Sequence, residues 1–284
     1  MVTCVPGGRA RSALAEGRGR RFADVRWVAE TGSTNADAME LAHQGEPEGI
    51  VLVADHQTAG RGRAGRTWTA PPGAGLLVSV LLRPPAAVAD LCTMAVALAA
   101  ASAVESVAGF SPRLKWPNDL VWPGDGSGAD RKLAGILAEA DWPASSSVTA
   151  GWKAPAAHDK AVVVVGIGIN VEWPTDLPDD LADIAVAINH ITDDPVDRED
   201  LLIALLDALG PRYEALARGD RSSLLGEWRT RSATLGRQVR IDLGTEDVEG
   251  IAVDITDQGH LVVETEGGER RAFAVGDVVH LRPA

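Results

Sequence analysis

Gly60-Arg61-Gly62-Arg63-Ala64-Gly65-Arg66-Thr67-Trp68 sets three arginines and three glycines ahead of a tryptophan. Glycine lets backbone N–H groups approach an anion and permits the left-handed conformations such a loop needs. Arginine offers a planar, permanently charged fork that fits carboxylate or phosphate oxygens. A tryptophan beside that cluster can cover a flat ring. The combination suits a ligand that carries both an acid group and a nucleotide. Apolar runs on either side, Gly49 to Asp55 and Leu76 to Leu82, read as buried strands, so the loop is held in a folded frame. Two other readings stay open: a solvated flexible loop, and an arm for the minor groove of A·T-rich DNA.

The rest of the chain bounds these readings. Its 284 residues suffice for one large domain, or one large and one small. With 45% hydrophobic and 24% charged residues a packed core is expected. The net charge of −13 argues against a broad nucleic-acid footprint and makes a local anion site the better reading of the loop. Cys4 and Cys92 cannot form the disulfide framework of a secreted domain, so both are expected as free thiols in a reducing compartment. Residues 1–21 hold five arginines and no apolar stretch of secretory type, and read as a disordered tail or an overlong start, with an organellar transit peptide as the less favoured alternative. The alanine-rich run from Leu91 to Gly109 contains Glu105 and reads as a buried helix rather than a membrane span.

Along the chain, Phe22 to Ala29 is expected as a strand. Ser33-Thr34 is expected to cap a helix that stops at Gly45. A helix follows over about 89–108, then strand, turn and strand over 114–122, and a strand from Lys132 to Ala140. The polar stretch 143–160 reads as a mobile surface loop. Val162 to Val171 is a β-branched strand, and helices follow over about 197–218 and 222–231. From Arg237 short β-like runs separated by Gly, Asp and Thr turns suggest a small separate β-barrel.

Three further clusters could carry chemistry. Lys115-Trp116-Pro117-Asn118-Asp119 is either an ordinary β-turn or a phosphate and Mg²⁺ site built from Lys115 and Asp119. Lys132, at the head of an apolar strand, is either a solubilising strand end or a functional amine. Only four lysines occur in the chain, which gives each one weight. Gly166-Ile167-Gly168-Ile169-Asn170 echoes a dinucleotide fingerprint, but Val171 stands where the third glycine would be, so a Rossmann reading is rejected. No P-loop, zinc-ligand spacing or Gly-x-Ser-x-Gly elbow occurs.

Taken together, Gly32-Ser33-Thr34-Asn35, Gln57 with Gly60 through Trp68, Lys115 through Leu120, Lys132 through Glu139 and Gly166 through Val171 resemble the biotin protein ligases, from about residue 27 onward. The resemblance implies an α+β fold of the lipoate–biotin ligase, class II synthetase-like kind. A mixed-sheet catalytic domain flanked by helices would span 22–235, with an SH3-like barrel over 236–284. It implies a cytoplasmic enzyme with no membrane among its partners. Repressor-type members carry an N-terminal winged helix-turn-helix; the roughly 30 residues before Ser33 show no helical period, so a monofunctional enzyme without that domain and without specific DNA binding is expected. Biotin, ATP with Mg²⁺ and the carrier domain of a biotin-dependent carboxylase are the implied partners. Biotinyl-5′-AMP is the implied intermediate.

By the family pattern Ser33, Thr34, Asn35, Gln57, Gly60 and Gly62 would line the biotin end, with Arg61, Arg63 and Lys132 both binding and catalytic. Arg63, Arg66, Trp68, Lys115, Asn118 and Asn170 would serve ATP, and Asp119 the metal. The loop would order on binding. Lipoate ligases, the sister group, would show an Arg-Arg-x-Ser-Gly-Gly-Gly segment, which this chain lacks.

Overall fold

The protein is described by a computed structural model that covers residues 7–17, 19–123, 130–142, 159–244 and 246–281. Seven strands form the central sheet: β1 (Asp24–Thr31), β2 (Ile50–Gln57), β3 (Gly75–Leu82), β4 (Arg113–Lys115), β5 (Asp119–Trp122), β6 (Arg131–Asp141) and β7 (Val162–Asn170). Their spatial order is β1-β2-β3-β7-β6-β5-β4. Only β1 and β2 run parallel; the remaining pairs are antiparallel, so the sheet is mixed. The apolar run of β3 is buried at every position, as its central place in the sheet demands.

Alternation along the strands divides the two faces. Val51, Val53, Val78, Val80, Val163 and Val165 join the main core with helices α3 (Cys92–Ala108) and α4 (Arg198–Ala217). Leu52, Leu81 and Val164 point the other way, against Ala38 and Ala42 of helix α2 (Thr34–His43). Ala86–Ala108 is long and apolar enough to cross a membrane, and 78% of its most apolar window is buried inside the protein. It is the expected core helix.

The expected tail is partly a helix. Gly8–Glu16 forms α1, and its Ala10 and Leu14 are fully buried. Arg9 meets Asp197, Glu199 and Asp200 at 2.7–3.3 Å, and the Ala10 N–H donates to Glu199 Oε1 at 2.9 Å. These carboxylates sit at the start of α4, where Asp197 also caps the helix by accepting from the Glu199 and Asp200 N–H groups. The partner that makes α1 a helix therefore lies almost 190 residues away in sequence.

After α5 (Ser222–Arg231) come β8 (Gln238–Asp242), β9 (Asp247–Ile255), β10 (Leu261–Glu264), β11 (Arg270–Phe273) and β12 (Asp277–His280). They pair antiparallel in the order β11-β10-β9-β8-β12. The two end strands do not pair with each other, so the unit is an open sheet and the expected closed barrel is corrected. Nor is it detached from the rest. Val239, Ile241, Ala252 and Leu261 belong to the same buried cluster as α3 and β7. Trp116 N–H donates to Thr234 Oγ1 at 3.0 Å and its indole N–H to Gly259 O at 3.0 Å. The expected mobile loop over 143–160 falls largely outside the described residues; at its end Lys160 bridges Pro85.

Candidate active site

A cavity of about 460 Å³ opens on the α2 face of the central sheet. Three glycines make its floor. Gly168 and Gly135 face each other across β7 and β6, and Gly166 lies two residues along from Gly168. Side chains fill the room that missing Cβ atoms leave. A Cβ on Gly168 would come within 2.5 Å of the Trp68 indole, and one on Gly135 within 2.9 Å of the same ring. A Cβ on Gly166 would collide with the Asn35 amide. The Gly-x-Gly pattern of β7 thus serves close packing, not a dinucleotide turn.

One end of the cavity is neutral and polar. Ser33, Thr34, Asn35 and Gln57 line it. Ser33 occupies the N-cap position of α2, but its hydroxyl makes no capping bond. The capping role passes to Gln57, whose Oε1 accepts from Thr34 N–H at 2.8 Å. Asn35 Nδ2 donates to Leu137 O at 3.2 Å and to Glu139 Oε2 at 2.8 Å.

The rest of the lining is cationic, and the two parts meet at Glu139 Oε2, to which Asn35 and Arg61 both donate. Arg61, Gly62, Arg63 and Arg66 supply the cationic part from the loop, with Lys132, Asn118 and Asn170 from the sheet. The loop closes on its own backbone. Arg61 bridges Thr67, Gly62 N–H donates to Arg66 O at 2.7 Å, and Trp68 N–H donates to Gly60 O at 3.0 Å. Ala64 at φ 53° and Gly65 at φ 72° make the sharp turn, and a left-handed alanine is a local cost that the loop carries.

Each cation has a resident carboxylate or amide partner. Arg61 pairs with Glu139 at 3.0 Å, and Arg66 with Asp277 of β12 at 3.0 Å. Arg63 donates to Asn118 Oδ1 at 3.2 Å and lies 4.0 Å from Asp277. Burial lowers the Arg63 guanidinium from its ordinary value, Asp277 raises it, and neighbouring Arg66 lowers it again. Lys132 Nζ stands 2.7 Å from Asp119 Oδ1 and 5.5 Å from the centre of the Trp68 ring. The lysine–aspartate contact is close but not directed along a hydrogen-bond line, and Asp119 Oδ1 is left without a hydrogen-bond donor.

Three expected site residues lie elsewhere than expected. Gly60 is not in the cavity wall; it lets the two arms of the loop meet, because a Cβ there would strike the Trp68 carbonyl. Lys115 is also absent from the wall. Burial lowers its amine from the ordinary value; Asp119, Asp130 and Asp277 raise it and Lys132 lowers it, so it sits behind the Lys132–Asp119 pair, between the cavity and the C-terminal sheet. Asp119 faces Lys132 rather than the cavity.

The sequence reading missed the cover. Trp173, Leu177, Leu181, Ile184 and Ala185 close the cavity from the segment after β7. That segment is tied to β6: Lys132 N–H donates to Ile184 O at 2.7 Å, and Val186 N–H donates to Lys132 O at 3.0 Å. The indole N–H groups of Trp68 and Trp173 are both buried without an acceptor. Such donors in a cavity wall are satisfied by an acceptor-rich ligand.

Residues 28–147 match the Biotin/lipoate A/B protein ligase family, and residues 234–281 match the Biotin protein ligase C terminal domain. A biotin–[acetyl-CoA-carboxylase] ligase of Mycobacterium tuberculosis is 38% identical over 277 residues, which cover 95% of this chain and 92% of that protein. The chain belongs to the biotin protein ligase family. It is therefore an enzyme of the ligase class. The bifunctional ligase/repressor BirA of Bacillus subtilis is 32% identical over 246 residues, covering 85% of this ligase and 70% of that protein. The solved biotin protein ligase from Aquifex aeolicus in complex with biotin and ATP shares the fold at a TM-score of 0.71. It is 27% identical, and the match covers 92% of this ligase and 99% of that chain.

Proposed function

We propose that this ligase joins biotin to a lysine of a biotin carboxyl carrier domain through biotinyl-5′-AMP. A biotin carboxylate oxygen attacks the α-phosphorus of ATP, the bond to the pyrophosphate oxygen breaks, and pyrophosphate leaves. The carrier amine then attacks the acyl carbon, AMP leaves with the bonding pair of the acyl–oxygen bond, and the amine proton passes to solvent. The observation that carries this reading is one cavity lined both by neutral polar side chains and by three arginines and a lysine.

The two kinds of lining answer the two demands of the chemistry. An uncharged heterocycle with a urea group needs neutral donors and acceptors, which Ser33, Thr34 and Gln57 supply. Bringing a carboxylate up to a phosphate sets two anions about 4 Å apart, a repulsion of about 4 kcal/mol at an effective dielectric of about 20. Arg61, Arg63 and Lys132 offset it and hold the pair in line. Arg66, Trp68, Asn118 and Asn170 lie where the nucleotide would extend. Substrate anions would take over the arginines and the lysine from Glu139, Asp277 and Asp119, their partners in the ligand-free protein. The cover residues exclude water from the mixed anhydride.

Mg²⁺ would arrive with ATP and neutralise phosphate charge. Asp119 is engaged by Lys132 at 2.7 Å in the ligand-free protein, so it would be open to an ion only once substrate anions draw the lysine away. Among the described residues no group of three His, Cys, Asp or Glu side chains gathers to hold a metal. Any ion would therefore be held mainly by the phosphates. We further propose a cytoplasmic enzyme that does not repress transcription, on the net charge of −13 and the cysteine pattern.

The test is pyrophosphate release from ATP with biotin, with lipoate and octanoate as controls. Release with biotin alone among the three acids is expected. Release with lipoate at the biotin rate would overturn the substrate assignment.

A further inference from the structure

Ser79 is the one polar side chain of β3, a strand that otherwise reads Gly, Leu and Val. It is fully buried, and in register it lies between Leu52 of β2 and Gly166 of β7. A hydroxyl in that place costs stability unless its hydrogen bonds are made. They are made toward α2, immediately behind the neutral end of the cavity.

Ser79 Oγ lies 2.6 Å from Asn35 Oδ1 and 2.7 Å from Thr34 Oγ1, and Thr34 Oγ1 lies 3.0 Å from Gln57 Oε1. Four oxygens thus run in a chain, and only the two hydroxyls bring protons. Asn35 must turn its oxygen to Ser79, because its nitrogen already faces two acceptors, Leu137 O and Glu139 Oε2. Gln57 must turn its oxygen to Thr34, because Thr34 N–H donates to it. Both ends of the chain are fixed as acceptors. Two protons serve three contacts, so one contact goes without.

The distances decide which. The two short contacts are both hydrogen-bonded if Ser79 donates to Asn35 and Thr34 donates to Ser79. The contact left without a proton is then the longest of the three, and its Gln57 oxygen is still satisfied by Thr34 N–H. Any other arrangement leaves two oxygens 2.6 or 2.7 Å apart with no proton between them.

We infer that Ser79 is a positioning residue that draws the Thr34 hydroxyl proton into the sheet and makes Thr34 an acceptor toward the cavity. Ser33 and Gln57 Nε2 remain as donors. A ligand must then bring an N–H to Thr34, as the ring of a cyclic urea does. A carbonyl or ether oxygen in the same place would set two acceptors face to face. This deepens the biotin reading of the same cavity and rests on it.

Steady-state pyrophosphate release tests the idea in Ser79→Ala, Ser79→Val and Ser79→Thr. Alanine and valine should raise KM for biotin about tenfold, the loss of one hydrogen bond's orientation, while kcat and KM for ATP move less. Threonine matches valine in volume and keeps the hydroxyl, so it should return KM to within about threefold of the unsubstituted protein. A wild-type KM for biotin in Ser79→Ala, or equal impairment by threonine and valine, overturns the inference. Should the variants fail to fold, the unsubstituted protein supplies the reading. A biotin analogue whose urea nitrogens are replaced by oxygen, a cyclic carbonate, should compete at least about tenfold more weakly than biotin; equal competition would overturn the inference as well. An unsubstituted protein that releases no pyrophosphate with biotin refutes the substrate assignment instead, so the two failures are distinct.

Discussion

The Trp68 indole packs against Gly168, with no room for a Cβ: one placed there would stand 2.5 Å from both Nε1 and Cε2 of the ring. Gly168→Ala should push the ring into the cavity, since packed surfaces have little slack. Adenylate formation should fall at least about tenfold, read as pyrophosphate release, with the fold retained. A variant that turns over at the wild-type rate would show that the ring's seat is irrelevant to the reaction.

Lys132 and Asp119 form a close pair with different duties. Lys132→Met should cut pyrophosphate release by about 10²-fold or more, because it removes a fixed cation from the reacting anions. It also removes the nearest counter-charge of the mostly shielded Asp119 carboxylate, leaving only the more distant Lys115 and Arg63. Lys132→Met with Asp119→Asn should recover about 1 kcal/mol of the stability lost in the single variant, without recovering activity. Urea unfolding and pyrophosphate release on the same preparations would separate the two roles.

Arg63 is held by one bond to Asn118 and a long contact to Asp277, so little of the fold depends on it. Arg63→Ala should melt within a few degrees of the parent and yet let go of biotinyl-AMP. Gel filtration after a single turnover checks this: the adenylate should elute with the small molecules. Co-elution with the variant protein at the wild-type level would remove Arg63 from its assigned role.

His280 carries a pH dependence of the fold. Desolvation by burial, and next Lys115, push its imidazole down to about 4, while Asp130 at 3.1 Å pulls the other way. Thr234 and Arg237 also face the ring. Between about pH 6.5 and about pH 4 the unfolded chain takes up a proton that the folded protein refuses. Stability from this group is therefore full above pH 6.5 and falls as pH drops through that window, by about 3 kcal/mol in all. His280→Gln should flatten that part of the profile in urea unfolding at a series of pH values. An unchanged slope would assign the dependence to other groups.

Leu14 of α1 is fully buried. Leu14→Ala should cost about 2–5 kcal/mol, the usual range for a buried leucine. A change under about 0.5 kcal/mol in urea unfolding would mean that residues 8–16 do not pack as described.

What the sequence could show depended on how local each signal was. The apolar runs of β2, β3 and β7 and the helix of alanines declared themselves, because a strand or helix buried on all sides needs no partner to be recognised. The loop arginines, Lys132, the polar trio at the start of α2 and Gln57 at the end of β2 were legible as chemistry, and the cavity brings them together. Helix α1 was not, since its arginine-rich stretch becomes a helix only against the carboxylates that open α4. The motif assigns Lys115 to the nucleotide; the pairing of β4 with β5 sets it opposite Asp119, one step behind the cavity wall. Glu139 and Ser79 had no pattern of their own. Their meaning comes from the hole at Gly166, which lets Asn35 reach across the sheet. The open shape of the C-terminal sheet depends on which strands end it, and turn spacing does not encode that.

The pairing of Lys132 with Ile184 and Val186 makes the roof of the chamber and the backbone of its lysine one piece of hydrogen-bonded fabric. Both peptide groups of Lys132 are held by that segment, one by Ile184 and one by Val186. Cover and cation are thus fixed by one pair of bonds, and a substitution that shifts the cover is felt by the lysine.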